Sequence, residues 1–178
     1  IQMLNSVSPG FKYNFCLHAN ETLSRLEQTA KLVICAINGH AVGGGLEIAM
    51  AADIRIARKN SGKVGLPEIN LGVLAGTGGT ARLTRLIGKA KALEMMVTGE
   101  LMSFEDAHAC NLINHIWEQD LHIQLTAPNG ISATLAANIG GAGIEPPYGD
   151  YREENCMKPT IFHHADFACY IYPNITDN

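Results

Sequence analysis

The boundary between a strand and a helix in residues 32–52 constrains the fold most. Residues 32–37, LVICAI, are apolar and rich in β-branched side chains, and they end at Asn38-Gly39, a pattern that predicts a buried strand and a turn. Gly43, Gly44 and Gly45 follow. Residues 46–52 then carry a single charge, Glu47, which predicts a short helix buried on nearly all sides.

Helical and strand patterns alternate along the rest of the first two thirds of the chain. Apolar periodicity predicts helices over 15–30, 78–86 and 89–97, strands over 54–57 and 112–117, and a helix that starts at Ser103 with Asp106 in the reciprocal capping position. Strands that alternate with helices indicate an α/β fold with largely parallel pairing.

Composition excludes several classes of protein. A chain of 178 residues is long enough for one domain with a sizeable core, and 47% apolar with 17% charged residues is not typical of disordered or coiled-coil proteins. We expect no membrane span and no secretory signal. The net charge of −4 argues against nucleic acid as a partner. Five widely spaced cysteines without a C-x-x-C pair, and histidines without ligand spacing, support neither a disulfide framework nor a metal site.

The charge divides the chain into two regions. Residues 1–117 hold 11 Lys/Arg and 9 Asp/Glu, whereas residues 118–178 hold 2 and 8. The second region is also rich in Gly, Pro and Asn and has poor helical periodicity. We therefore expect residues 1–117 to form the α/β core and residues 118–178 to be a less regular region that covers this core or packs on a neighbour.

The three glycines and two glutamates are the candidates for chemistry. Backbone N–H groups at a glycine-rich helix start suit a phosphate or a developing oxyanion, although a tight structural turn is an alternative. The sequence lacks both the Gly-Lys-Ser/Thr of a phosphate loop and G-x-G-x-x-G. Glu47 could compensate the helix dipole and Glu68, after Pro67, could start a helical turn. Together near an oxyanion pocket, two carboxylates suit acid–base chemistry on a carbonyl compound.

Two longer stretches resemble one family. INGHAVGGGLEIAMAADIRIA, followed by GLPEINLGVLAGTGGTARLTRLIGKAKALEMMVTGELMSFEDAHACNLINHIW, closely resembles the enoyl-CoA hydratase branch of the crotonase superfamily, over about residues 1–117. The resemblance rests on the family's G-G-G-x-E, P-E-x-x-L-G and G-x-G-G-T-x-R-L motifs. It implies a crotonase-like fold of ββα units wound into a spiral.

The resemblance also implies roles for individual residues. Gly44 corresponds to an oxyanion-hole N–H donor, Glu47 to a glutamate that holds water with a second one, and Glu68 to that second glutamate, which exchanges a proton with the α-carbon. It places the substrate against the residues Gly43, Gly45, Leu66 and Pro67. Retention of both glutamates favours hydration of a 2-enoyl-CoA. The alternatives are an enoyl-CoA isomerase and a catalytically silent structural subunit.

The family's other properties give further expectations. Its members are trimers or dimers of trimers of the bacterial cytosol or mitochondrial matrix, and they use no metal or redox cofactor, coenzyme A being part of the substrate. The apolar faces of the helices over 78–97 are expected to need cover from other subunits, and residues 118–178 are candidates for trimerisation or for covering CoA.

Three departures from the family pattern give expectations of their own. The family's second oxyanion donor precedes the G-G-G, and IQML resembles the residues just after it. The resemblance therefore implies a chain that lacks the N-terminal strands, with an unpaired sheet edge and poor activity of the 178 residues alone. One extra residue between Glu47 and Glu68 is expected to be absorbed by the RKNSGK loop. Residues after about 120 do not match the family.

Overall fold

A computed structural model describes residues 6–118 and, beyond them, the backbone of four strands. The helices are α1 Pro9–Glu27, α2 Gly44–Met50, α3 Gly79–Ile87, α4 Lys89–Thr98 and α5 Phe104–Ala109, with a 3-10 helix, η1, at Pro67–Leu71. The first six strands are β1 Val33–Ile37, β2 Ala41–Val42, β3 Ile54–Arg58, β4 Lys63–Gly65, β5 Met102–Ser103 and β6 His115–Trp117. The other four are β7 Leu121–Thr126, β8 Ser132–Ile139, β9 Thr160–His164 and β10 Phe167–Ile171.

The strands form a main sheet of five and two smaller sheets. The main sheet has the order β6-β3-β1-β10-β9, in which β1, β3 and β6 pair in parallel and β10 pairs antiparallel with both β1 and β9. A second sheet has the order β2-β4-β5, with β2 parallel to β4. This α/β arrangement with parallel pairing in residues 33–117 confirms the predicted fold class.

The core lies between the main sheet and the helices α2 to α5. All five residues of β1 are buried, as its unbroken apolar run predicts. α2 contributes Leu46, Ala49 and Met50 to the core, and Leu83, Phe104 and Leu112 come from the later elements. No helix among residues 6–118 is long and apolar enough to cross a membrane.

Several predicted boundaries differ from the structure. α1 covers Pro9–Glu27 rather than 15–30, because Ser8 accepts a hydrogen bond from Phe11 N–H and Pro9 takes the first helical position. Residues 112–114 are not strand. Asn114 instead bonds both backbone groups of Arg55, and the Leu112 carbonyl accepts from the Arg55 guanidinium.

Beyond residue 118 the structure describes four strands, and the predicted irregularity of the rest of that region lies outside the described residues. The structure corrects one expectation about the sheet. The edge of β1 expected to be unpaired is occupied by β10, with Val33 opposite Ile171 and Ile37 opposite Phe167. The physical reason is that backbone N–H and C=O groups of a buried strand need partners, and short apolar runs such as residues 167–171 supply them.

The apolar helix surface over 78–97 is partly buried within the chain, and its cover by other subunits stays a prediction. Leu83 is fully buried, and Leu86, Ile87 and Met96 pack against the core, whereas Leu93 is exposed. α3 and α4 pack on neighbouring elements, α3 against α2 and α4 against η1. The packing of α3 on α2 therefore places α3, and the residues just before it, beside α2.

Candidate active site

The start of α2 is an accessible backbone site. Gly43 has φ 58° and ψ −126°, a conformation that favours glycine, and its N–H donates to the Gly65 carbonyl at 2.9 Å. Gly44 is the exposed first residue of the helix, and nothing lies within 4 Å of the position of a Cβ built on it. The first N–H groups of a helix have no acceptor within it. The Gly44 backbone is thus exposed at the helix start, with open space on its Cβ side.

Glu47 is buried in the first turn of α2, with 3% of its surface exposed. Its Oε1 accepts hydrogen bonds from the backbone N–H of Thr77 at 2.9 Å and of Gly79 at 2.8 Å. A Cβ built on Gly79 would lie 2.8 Å from both Cγ and Oε1 of Glu47. The backbone at the start of α3 therefore needs glycine at residue 79, because a side chain there would prevent its N–H from approaching the carboxylate.

Glu68 lies against the residue that precedes this helix. Pro67 is the first residue of η1, as the Pro-Glu step predicts, and Glu68 follows it. A Cβ built on Gly43 would lie 2.9 Å from Glu68 Oε1. Glu68 Oε2 is buried and has no hydrogen-bond partner in the part of the chain that the structure describes.

Burial and charge act on Glu68 in the same direction. Burial raises the pKa of its carboxyl above the ordinary value, and the nearby charge of Glu47 raises the same pKa further, while its own backbone N–H opposes both. Glu68 thus lies against Gly43, the residue directly before the helix that carries Gly44 and Glu47. That the three residues share one pocket, and their catalytic roles, remain predictions.

The other predicted site residues lie around this centre. Gly45 is half-buried in α2, and Leu66 is buried directly before Pro67. A cavity of about 20 Å³, enough for one water molecule, borders Glu68. Its other lining residues are mostly apolar, namely Leu66, Ile69, Val73, Leu74, Ala75, Thr80 and Met96.

The loop that separates the two glutamates in sequence lies at the protein surface, and its absorption of the extra residue stays a prediction. Ser61 closes a turn onto the Arg58 carbonyl through both its N–H and its hydroxyl, and Asn60 takes a positive φ of 57°. β4 then begins at Lys63 and returns the chain to Gly65, the partner of Gly43. The turn lies between β3 and β4, outside the elements that carry Glu47 and Glu68.

Sequence reasoning misses the function of the second glycine cluster. Residues 76–80, GTGGT, lack the features of a phosphate loop, and the structure shows that they hold Glu47 instead. It also misses Arg82, which is buried beneath this loop. The available signal is the adjacency of Gly78 and Gly79 at a helix start, where a close approach of another group requires glycine.

Metal ligands are not grouped in the described residues. Among residues 6–118 no cluster of three or more His, Cys, Asp or Glu side chains is arranged to hold a metal ion. The described residues at and beside the start of α2 provide two carboxylates and backbone N–H groups.

Comparisons with known proteins agree with the geometry. The family model described as Enoyl-CoA hydratase/isomerase matches residues 2–127. An enoyl-CoA isomerase/hydratase of Mycosarcoma maydis is 38% identical over 149 residues, which are 76% of this chain and 54% of that protein. A short-chain-enoyl-CoA hydratase of Clostridioides difficile is 49% identical over 94 residues, 53% of this chain and 59% of that protein.

A solved structure shows the same fold. The enoyl-CoA hydratase of Geobacillus kaustophilus HTA426 superposes with a TM-score of 0.64 at 49% identity, covering 65% of this chain and 44% of that one. The chain thus spans about half the length of the relatives it matches. With the family model matched over most of its length, the chain belongs to the enoyl-CoA hydratase/isomerase family and has a crotonase-like fold.

Proposed function

We propose that the protein adds water across the 2,3 double bond of a 2-enoyl-CoA thioester. The observation that carries this proposal is the contrast between the two carboxylates at the start of α2. Glu47 is oriented by two backbone N–H groups, whereas Glu68 has a buried oxygen without a partner and a raised pKa. Two carboxyl groups in different environments are what acid and base roles in one step require.

In the proposed step each group has one task. Glu47 holds the water through Oε2, since both of its hydrogen bonds go to Oε1. The water oxygen bonds to C3, its proton passes to Glu47, and the electrons of the double bond move onto the thioester oxygen. The Gly44 N–H stabilises that negative charge. Glu68, in its protonated form, then delivers a proton to C2, and both carboxyl groups exchange protons with solvent to complete the cycle.

The raised pKa of Glu68 supports its role as the proton donor. A carboxyl group that ionises less readily is a better general acid near neutral pH. The open space on the Cβ side of Gly44, and the positions of Gly43 and Leu66 beside Glu68, support binding of the thioester in this region, where Gly45 and Pro67 are further predicted contacts. The substrate class is that named for the related hydratases.

A hydration assay tests the proposal. The full chain and its Glu47→Gln and Glu68→Gln variants would be compared with a short 2-enoyl-CoA, following loss of the conjugated thioester absorbance. We expect each variant to lose at least about 10²-fold in kcat, the lower range for a positioned acid or base. Glu100→Gln, at an exposed position, is the matched control and is expected to retain activity.

The same variants separate hydration from the isomerase alternative, which the Mycosarcoma relative's name favours. Migration of a double bond needs one group to move a proton and no bound water, so it should tolerate Glu47→Gln and not Glu68→Gln. Isomerisation of a 3-enoyl-CoA without hydration of a 2-enoyl-CoA would contradict the hydratase proposal. Absence of both activities would favour the silent structural subunit.

The remaining properties are proposals from family membership. We propose that the protein works as a trimer or dimer of trimers, without a metal or redox cofactor and without nucleic acid, in the bacterial cytosol or mitochondrial matrix. Exposed apolar side chains in residues 69–74 support assembly, since large exposed apolar areas are typical of contact surfaces. The role of residues 118–178 in trimerisation or in covering CoA lies outside the described side chains and stays a prediction.

A further inference from the structure

Arg82, on α3, has a buried guanidinium with four contacts and no place in the reaction step. Only 5% of its surface is exposed. Its Nε donates to Glu27 Oε2 at 3.1 Å, Nη2 lies 3.1 Å from the same oxygen, and Nη2 also donates to Ser24 Oγ at 3.3 Å. Its Nη1 donates to the Thr77 carbonyl at 3.0 Å. The guanidinium thus joins α1 to the loop before α3.

The Thr77 residue is held from two sides. Its N–H donates to Glu47 Oε1, and its carbonyl accepts from Arg82 Nη1. Gly78, with a φ of 97°, lies directly against the guanidinium, because a Cβ built on it would contact Arg82 Nη1. The backbone that orients Glu47 therefore rests on Arg82, with α1 behind it.

We propose that Arg82 is a positioning residue for Glu47, acting through the Thr77–Gly79 backbone and anchored to α1 by Glu27 and Ser24. This inference rests on the proposed function, since it concerns the carboxylate assigned to hold water. A planar guanidinium with a fixed fork of donors fits these contacts on two elements of structure, α1 and the loop before α3. A lysine ammonium at the same place cannot match the fork, so Arg82→Lys keeps the charge and loses the geometry.

The experiment combines amide hydrogen exchange with kinetics on the full chain. In Arg82→Lys we expect exchange at the Thr77 and Gly79 amides to accelerate about tenfold, the change expected when a net hydrogen bond is lost. Amides of α4 should exchange as in the unchanged protein. With a 2-enoyl-CoA, kcat should fall by up to about 10²-fold while KM changes little, because water is misplaced and thioester contacts are not.

Arg85→Gln is the matched control. Arg85 lies about one helical turn further along α3, and 71% of its side chain is exposed. It approaches the same Glu27 at 3.9 Å without contacting the loop. It should leave both exchange and kcat unchanged. If Arg82→Lys does not fold, Glu27→Gln provides the test, because it removes the negative charge that anchors Arg82 and lies at a half-exposed position. Hydrogen exchange at the Thr77 and Gly79 amides should then accelerate as well, by a smaller factor.

Two results would overturn the proposal. Exchange at Thr77 and Gly79 that stays unchanged in a folded variant would show that the loop does not depend on Arg82. Amide exchange that accelerates by a similar factor in α4 and β1 would show that Arg82 only stabilises the whole fold. A protein that never hydrates a 2-enoyl-CoA would defeat the proposed function instead, and the exchange result would still decide whether Arg82 holds the loop.

Discussion

At the scale of single residues, the candidate site depends on close approaches of backbone to carboxylate. Gly79 lets a peptide N–H reach 2.8 Å from the Glu47 oxygen, and Glu68 Oε1 lies against Gly43, whose own N–H donates to Gly65. A side chain at either glycine would occupy space that the neighbouring carboxylate now fills. Substitution at Gly79 or Gly43 is therefore expected to displace Glu47 or Glu68, which makes the two glycines sensitive test positions.

The first prediction concerns Gly79→Ala. The added methyl group would lie 2.8 Å from Glu47 Cγ and Oε1, so the loop or the carboxylate must shift. We expect a loss of up to about 10²-fold in kcat for hydration, because such a displacement misplaces the bound water. Stability should fall by about 1–3 kcal/mol, as in other overpacked sites, measured by urea unfolding.

Gly10→Ala controls for the general effect of replacing glycine in a helix. Gly10 lies in α1 with nothing within 4 Å of a built Cβ. This variant should gain about 0.5–1 kcal/mol and keep its activity. Equal activity of Gly79→Ala and the unchanged protein would contradict the assignment of this loop to the positioning of Glu47.

The second prediction is a stability gain in Glu68→Gln at neutral pH. Burial raises the folded-state pKa of Glu68, so the ionised form destabilises the folded state, and glutamine removes that charge. The penalty is absent below the ordinary value of 4.5, where the carboxyl is protonated in both states. It grows as pH rises above that value, because the unfolded chain ionises first, and it is complete once pH exceeds the raised folded pKa. The melting temperature of the variant should therefore exceed that of the unchanged protein at pH 7.

The pH profile of this difference is the check. The gap in melting temperature should close as the pH falls towards 4, while Glu100→Gln, at an exposed position, should show no comparable gap at any pH. A variant less stable than the unchanged protein at pH 7 would show that Glu68 is stabilised by its surroundings, contrary to its partnerless buried oxygen. Activity lost together with stability gained is a typical feature of active-site residues.

At the scale of elements, the ends of helices are set by side chains that the sequence displays. Ser103 Oγ accepts from the Asp106 N–H at 3.0 Å and donates to Asp106 Oδ2 at 2.7 Å, the predicted reciprocal cap of α5. α5 buries Phe104 and Ala107 in the core. The cap therefore supports an element that contributes to packing beneath the β2-β4-β5 sheet.

The third prediction is that Ser103→Ala lowers the free energy of unfolding by about 1 kcal/mol, the typical loss for removing a helix N-cap. The hydration rate should stay the same, because α5 carries no candidate site residue. Ser103→Asn keeps an acceptor at this position and serves as the control, with a stability close to that of the unchanged protein. Urea unfolding measures both, and an unchanged midpoint for Ser103→Ala would show that the cap is dispensable.

At the scale of the whole molecule, apolar surface is exposed beyond the helices over 78–97. Leu86, Ile87 and Met96 are half-buried against the core, whereas the segment after Glu68 is open. Leu71 and Leu74 there are 60% and 78% exposed. Exposed side chains of this size in one short segment indicate a surface that is covered on binding another molecule.

The fourth prediction is assembly into a trimer or a dimer of trimers at micromolar concentration. The family resemblance implies this state, and the exposed apolar residues of 69–74 are consistent with a surface that needs cover. Sedimentation velocity over a range of concentrations is the measurement. A monodisperse monomer throughout would contradict the prediction, and the exposed segment would then be assigned to the bound thioester.

Local sequence patterns were sufficient for much of this protein. The apolar run of β1, the glycines before α2, the Pro-Glu step of η1 and the cap of α5 lie where the patterns predict them. Each depends on residues within one turn or one strand, so short-range preferences decide it. The ordered motifs also indicated the family and both glutamates, since these are local in sequence.

Only the tertiary structure decided what those residues contact. Glu47 accepts from residues 30 and 32 positions away, and Arg82 meets Glu27 across 55 positions. Such contacts depend on how α1, α2 and α3 pack, and no periodicity within one element encodes that packing. The pairing of β10 with β1 has the same cause. Which strand pairs with β1 depends on the unpaired backbone N–H and C=O groups that the fold brings together, and the residue pattern of a single strand does not specify its partner.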